Sequence, residues 1–416
     1  MEAIEGLRRT EAMLREYAQS RGLVLRSESP WPGYVPVEQQ QGPIRHAIWS
    51  LAGRLPGGAP GRLRHQAAFG STLGIEVAQQ HTIMVCRLPE SVAYIPMLCV
   101  RPDELGMGLY YWGGDQRPRE SARFESAELD RRYIVDIVKG QDQNWLYQLF
   151  APTMIDWLAH ETPPDFGFKL SSGVFTCECP QWRGQGRMDG ELDPEHLDLL
   201  AECGGRSASR IRDEVLEEIA GTMPADGPSA VAHEEWANKP QHGRIVGLLM
   251  KFVGGKDDSV RDFAKKHDME YEPAAEFHTR HIALPFPGTA GEVATGTLPG
   301  TSSHGSIAWI EYSSDVDVQR NYVAVVIAAA GGVESGLSGV NWVDAEDVGI
   351  AGFGENLPPQ VLEIVRAAGL GISTGGGSVC VYAKGANSSS WPSGAEVEAL
   401  CPRSVELAAL LDRTSG

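Results

Sequence analysis

Apolar residues fall in two kinds of pattern along this chain. At residues 2–20, Leu7, Met13, Leu14 and Tyr17 mark one face of an otherwise charged stretch, which predicts an amphipathic helix. Shorter runs with glycine and proline between them predict strands at 46–51, 64–69, 81–88 and 94–100. Residues 123–138 read as an added strand pair, with Tyr133, Val135 and Ile137 alternating on its second arm. A helix is expected over 144–160, with Pro152 kinking it or starting it anew. One strand is expected at 168–179, then a helix from Asp193 to about residue 220, broken at Gly204-Gly205. After a Gly/Pro-rich linker, the reading resumes with an interrupted helix at 245–267 and strands at 291–297, 306–312, 322–327 and 339–342. A helix at 358–368, a strand at 378–383 and a helix at 402–411 complete it. Helices joined to runs of antiparallel strands, without βαβ alternation, predict an α+β protein.

The second half repeats the first in outline. Gly-Arg-Leu-Pro-Gly at 53–57 returns as Gly-Thr-Leu-Pro-Gly at 296–300. Residues 17–23 resemble 263–269, and 81–86 line up with 321–326. Residues 100–106 match 343–349, 152–158 match 359–365, and 167–177 match 371–381. The offset between copies begins at about 246, settles near 243 and drops to about 207, so the second copy lacks roughly 36 residues. The region holding 123–138 is the missing piece. The expectation is two tandem related α+β domains, each a mainly antiparallel sheet with packed helices. The first spans 1–220, the linker 221–243, and the second, shorter one 244–416.

Composition narrows the function. A 416-residue chain is long enough for two cores, and 42% hydrophobic residues fit a globular protein. A net charge of −19 disfavours phosphate backbones and anionic membranes. No apolar run reaches membrane-spanning length, and residues 1–17 lack the apolar core of a signal peptide, so a cytoplasmic location without membrane insertion is expected. Seven cysteines without framework spacing suit reduced, buried thiols.

Candidate chemistry is sparse. Cys177 and Cys179 would share one face of a strand, as half a metal site or as two core residues. No second pair at finger spacing accompanies them, and no metal or cofactor is expected. His278 and His281, with His304 and Asp315, are the residues of a ligand- or metal-binding alternative. Gly254-Gly255-Lys256 and Gly375-Gly376-Gly377-Ser378 lack the helix and the Gly-Lys-Ser/Thr ending of a phosphate loop, and read as turns. Tyr110, Tyr111 and Trp112, set between glycines, are candidate partner-docking residues, because Tyr and Trp dominate interface energetics.

The stretch 123–158, with Arg-Phe-Glu at 123–125, Arg132-Tyr133-x-Val135 and Ala151-Pro152-x-Met154-Ile155-x-Trp157-Leu158, resembles a family of uncharacterised actinobacterial proteins. The resemblance covers roughly 10–220 and implies an α+β domain with no assigned activity. Members of that family often carry an N-terminal membrane segment; none is expected here, which puts membrane association in doubt. The reading that follows is a non-enzymatic cytoplasmic protein acting through protein–protein contacts, a subunit or adaptor of a larger assembly. The alternative is an enzyme or small-ligand-binding protein with its site between the two repeats.

Overall fold

The computed structural model describes residues 2–28, 44–72, 75–88, 91, 95, 97–103, 119–141, 144–171, 173–179, 193–221, 257–273, 288–312, 320–328, 341–375, 378–385 and 392–414. Helix α1 (Glu2–Arg21) buries Leu7, Thr10, Leu14, Tyr17 and Ala18, one face at helical spacing. Strands β1 (Val24–Glu28), β2 (Ile44–Arg54), β3 (Pro60–Thr72), β4 (Ile75–Arg87), β5 (Met97–Pro102), β6 (Arg119–Ala122), β7 (Tyr133–Val138), β8 (Gly167–Ser171) and β9 (Val174–Glu178) form one antiparallel sheet. Its order is β1-β2-β3-β4-β9-β8-β5-β7-β6. Helix α2 (Ala127–Arg132) lies between β6 and β7. Helices α3 (Asn144–Leu149), α4 (Pro152–His160) and α5 (Pro194–Gly221) follow.

The second half opens with helix α6 (Asp257–Lys266). Strands β10 (Glu270–Pro273), β11 (Gly288–Thr297), β12 (His304–Tyr312), β13 (Arg320–Ala328), β14 (Asn341–Asp344), β15 (Gly371–Gly375) and β16 (Ser378–Lys384) make the second sheet, in the order β10-β11-β12-β13-β16-β15-β14. A 3-10 turn (Ala345–Asp347) and helices α7 (Pro359–Ala368) and α8 (Gly394–Thr414) complete the described elements.

The seven strands of the second sheet stand in the order of the first seven positions of the other. Register agrees too. One row of partners crosses the first sheet as Val24, Ala52, Arg62, Val85, Thr176, Lys169 and Cys99. The corresponding row of the second runs Glu270, Thr295, Ser306, Val326, Cys380, Ser373 and Trp342. This register sets Val326 in the place of Val85, one position from the 81–86/321–326 alignment. Strand alternation tolerates no such slip once both faces are buried.

Local geometry repeats as well. After α1, Gly22 takes φ +65 and the Leu23 N–H bonds the Ala18 carbonyl at 2.8 Å. After α6, Asp268 takes φ +53 and the Met269 N–H bonds the Ala264 carbonyl at 2.9 Å. Both are left-handed helix stops closed by a six-to-one hydrogen bond. In the repeated frame, Gly57 and Gly300 have φ +87 and +72, and Leu55 and Leu298 are buried. Gly61 and Gly305 carry matching constraints. A Cβ would lie 2.8 Å from the Val85 carbonyl oxygen in one and 2.7 Å from that of Val326 in the other. Gly61→Ala and Gly305→Ala are each expected to lower unfolding free energy by about 2 kcal/mol in urea titrations. Tolerance at one site and collapse at the other would contradict the structural equivalence.

Several sequence readings need correction. Residues 123–138 are not a simple hairpin: β6 lies at 119–122, and α2 intervenes before β7. Helix α2 has Ser126 as N-cap, its hydroxyl accepting from the Leu129 N–H at 3.3 Å. The expected strand at 168–179 is a hairpin, β8 and β9, turned at Gly173 with φ +78. Helix α5 runs unbroken through Gly204 and Gly205 because these glycines are packing contacts. A Cβ on Gly204 would sit 2.4 Å from Cys177 Sγ and Met84 Sδ, and one on Gly205 would sit 3.0 Å from the Pro56 carbonyl. Helix α8 begins at 394, before the expected 402, and carries Pro402 inside. Pro152 does start a new helix, α4. Residues 222–256, with most of the linker, lie outside the described residues.

Each sheet packs helices on one face. Helices α1 and α5 cover the first, with Leu14, Leu51, Leu63, Met84, Phe168 and Phe175 in its core. Helices α6 and α8 cover the second, over Ile307, Val323, Val325, Val379 and Val381. The opposite faces of the sheets meet each other. Val293, Ala308, Ile310, Tyr322, Ala324, Val326 and Tyr382 of the second sheet cluster with Val174 and Val85 of the first. The layers therefore run helices, sheet, sheet, helices.

Candidate functional site

The seam between the sheets holds the densest group of paired charges among the described residues that joins the two halves. Its character follows from strand alternation. Leu25, Leu63 and Cys86 point to the first core, so Arg26, Arg62 and Arg87 on β1, β3 and β4 point to the seam. The second half supplies Asp344 at the end of β14 and Asp347 in the 3-10 turn. Asp347 is fully buried. Its Oδ1 accepts from Arg26 Nη1 at 3.1 Å and its Oδ2 from Arg62 Nη2 at 2.5 Å. Arg26 also donates to the Glu346 carbonyl. Asp344 Oδ2 accepts from Arg87 Nη1 at 3.2 Å, and its Oδ1 accepts from the Tyr382 hydroxyl at 2.5 Å. The Arg87 guanidinium lies 4.7 Å from the centroid of the Trp342 ring.

Burial pushes the Asp347 carboxyl above its ordinary value, and Arg62 draws it back. Burial is the largest influence on Arg62 and works against its charge, but the fields of Asp347, Asp344 and Glu346 together raise the guanidinium. Burial raises the Tyr382 hydroxyl well above its usual range, so it serves as a donor. Among the described residues the halves also touch through the apolar cluster of the two sheets, through the exposed Arg54–Glu355 pair and at Gly352 (φ +93), where a Cβ would lie 2.9 Å from Pro60 Cβ. The arrangement binds one half to the other, and the seam carboxylates are already hydrogen-bonded.

A second ionic group lies on the same face of the first sheet. Asp136 on β7 accepts from Arg101 Nε at 3.1 Å and from the Ser121 hydroxyl at 2.8 Å. Cys99 sits beside it, and burial, then Asp136, pushes its thiol up to about 12.

Of the residues singled out in the sequence, His304 is described: it is exposed at the start of β12, opposite Thr297. His278, His281 and Asp315 lie outside the described residues, as do Tyr110, Tyr111 and Trp112. Gly375 pairs with Ser378 where a turn is expected, joining β15 and β16, and Gly254-Gly255-Lys256 falls outside the described residues. Cys177 and Cys179 both face the first core. Among the described residues no group of three or more His, Cys, Asp or Glu side chains is placed to hold a metal ion.

All seven cysteines are buried. Burial raises the Cys203 thiol to about 11 and those of Cys380 and Cys401 to about 12. A thiolate is the reactive form, so the native protein is expected to show no fast-reacting thiol toward a disulfide reagent, and seven after denaturation. A fast native phase would contradict this packing.

The seam residues escaped the sequence reading. Arg62 and Arg64 flank Leu63 as the polar positions of a half-buried strand would, so nothing local marks them as seam residues. Among the described residues, no helix is long and apolar enough to cross a membrane. Comparisons with protein-family models, with curated proteins and with solved structures returned no match.

Proposed function

We propose that this is a non-enzymatic cytoplasmic protein, built from two copies of one α+β unit, that acts through protein–protein contacts as a subunit or adaptor of a larger assembly. The observation that carries the reading is the seam, where the ionic side chains of Arg26, Arg62, Arg87, Asp344 and Asp347 are bonded across the two halves. Side chains fixed in this way form a scaffold, and a scaffold presents surfaces. The common strand order and the matched rows support descent of both halves from one unit. The first half then carries the additional surface: β6, α2 and β7 extend its sheet, and Tyr110, Tyr111 and Trp112 precede them in the chain as the proposed docking residues.

The test is purification of the tagged protein from its native cytoplasm, with sizing and mass spectrometry. A partner in fixed stoichiometry is expected, and it should be lost when Tyr110, Tyr111 and Trp112 are all replaced by Ser. A lone monomer from both proteins would remove the reading.

A further inference from the structure

The two sheets differ at one edge. Strands β5 and β14 hold the same place, each beside the strand that follows the helix starting with proline. Cys99, Val100 and Arg101 stand where Trp342, Val343 and Asp344 stand in the second sheet. The outer side of β5 is taken by β7, in antiparallel pairs from Leu98↔Ile137 to Pro102↔Tyr133. Among the described residues, strand β14 pairs with β15 alone and its backbone has no other hydrogen-bond partner. An unpaired edge is a template for another strand.

The other three edges carry the usual deterrents. Strand β1 has Glu28, β6 has Arg119 and Glu120, and β10 has Glu270, Glu272 and Pro273. Strand β14 reads Asn-Trp-Val-Asp, and its one charge is engaged with Arg87 in the seam.

We infer that the edge of β14 that no described strand pairs receives an extended segment of a protein partner, laid antiparallel as β7 lies on β5, in which a basic residue alternates with apolar ones. This rests on the protein-contact reading given above. The chemistry comes from the pairing already present in the first sheet. There, Val135 stands across from Val100, and Asp136 stands across from Cys99 and bonds Arg101. In the second sheet Val343 keeps the apolar position, fully buried, while the place of Arg101 holds the carboxylate Asp344. The complementary strand therefore keeps an apolar residue at the place of Val135 and reverses the charge at the place of Asp136. Asp344 accepts one bond on each oxygen, from Arg87 and Tyr382, and a carboxylate has about four acceptor sites, so it can accept a Lys or Arg as well. The net charge of −19 draws a basic segment toward the surface.

The probe is a labelled, end-capped peptide with the sequence of residues 133–138 carrying Lys in place of Asp136, compared with its Asp parent. Anisotropy is measured on the purified full chain, and hydrogen exchange on the complex. The Lys peptide is expected to bind about tenfold more tightly than the Asp peptide, and to slow exchange at 341–344. Asp344→Asn is expected to abolish the preference; the localisation of slowed exchange in the unsubstituted protein gives a second readout, independent of any loosening by that variant. No binding, equal binding of both peptides, or protection away from 341–344 would overturn the inference. So would sedimentation showing a dimer of this chain that itself protects 341–344. A native partner whose footprint avoids 341–344 would sink the edge site and leave the protein-contact reading standing. Absence of any native partner would sink that reading whatever the peptide does.

Discussion

Asp347→Asn is expected to lower the unfolding free energy by about 3 kcal/mol, the low end of what breaking a buried ion pair costs. The low end applies because burial already works against the Asp347 charge, and because Arg26 and Arg62 keep side-chain exposures of 33% and 26% and regain some hydration, while Asp347 has none. Asparagine is nearly isosteric, so the loss reflects charge and not volume. It leaves two guanidiniums in the seam facing a single neutral carbonyl. The exposed pair Arg54–Glu355 supplies the contrast. Both of its partners are about half exposed, and Glu355→Gln is expected to cost less than about 1 kcal/mol. Urea denaturation of the two variants, followed by tryptophan fluorescence and circular dichroism, separates the cases. Equal small losses would mean that the seam contributes no more than a surface pair.

Acid is expected to destabilise the protein through His65. This imidazole lies fully inside the first half, stacked 6.1 Å from the Trp49 ring. Its Nδ1 stands 2.7 Å from Thr82 Oγ1 and its Nε2 3.2 Å from Gln80 Oε1. That environment suits a neutral ring, donating to the amide oxygen and accepting from the hydroxyl. Burial pulls its pKa from 6.5 down to about 4, against the pull of Gln80. The unfolded chain therefore binds the proton first. The stability this group contributes is complete above pH 6.5 and falls as pH drops toward 4. A shift of that size corresponds to roughly 3 kcal/mol across the window. In urea melts from pH 7 to 4, His65→Gln is expected to flatten this part of the profile, at some cost in stability at pH 7. Parallel profiles for the two proteins would show that His65 is not held neutral.

Local chemistry was legible in the sequence, and long-range pairing was not. The Gly-x-Leu-Pro-Gly frames mark real turns because a left-handed glycine and a buried leucine are requirements of a few adjacent residues. Pro152 and Pro359 open helices for a similarly local reason. Helix α2 was legible too, in Ser126, Glu128 and the terminal Arg131-Arg132, but the alternation of Tyr133, Val135 and Ile137 drew the strand backward over it. Gly204 and Gly205 misled because glycine in a helix signals either a break or a close neighbour, and here the neighbours are Met84, Cys177 and Gly57. The seam was hidden for a different reason. Arg26 and Asp347 are 321 positions apart, and each alone resembles an ordinary surface charge. Only the stacking of the two sheets turns an outward position on a strand into a buried one.

The most direct test of two halves held through charge is a double-mutant cycle on Arg62 and Asp347. Arg62→Met, Asp347→Leu and the double variant are unfolded in urea beside the parent protein. Charge pairing across the seam predicts a coupling energy of at least about 1 kcal/mol, with the double variant more stable than the sum of the single losses implies. Additive losses, within about 0.5 kcal/mol, would contradict it for the buried pair at the centre of the seam.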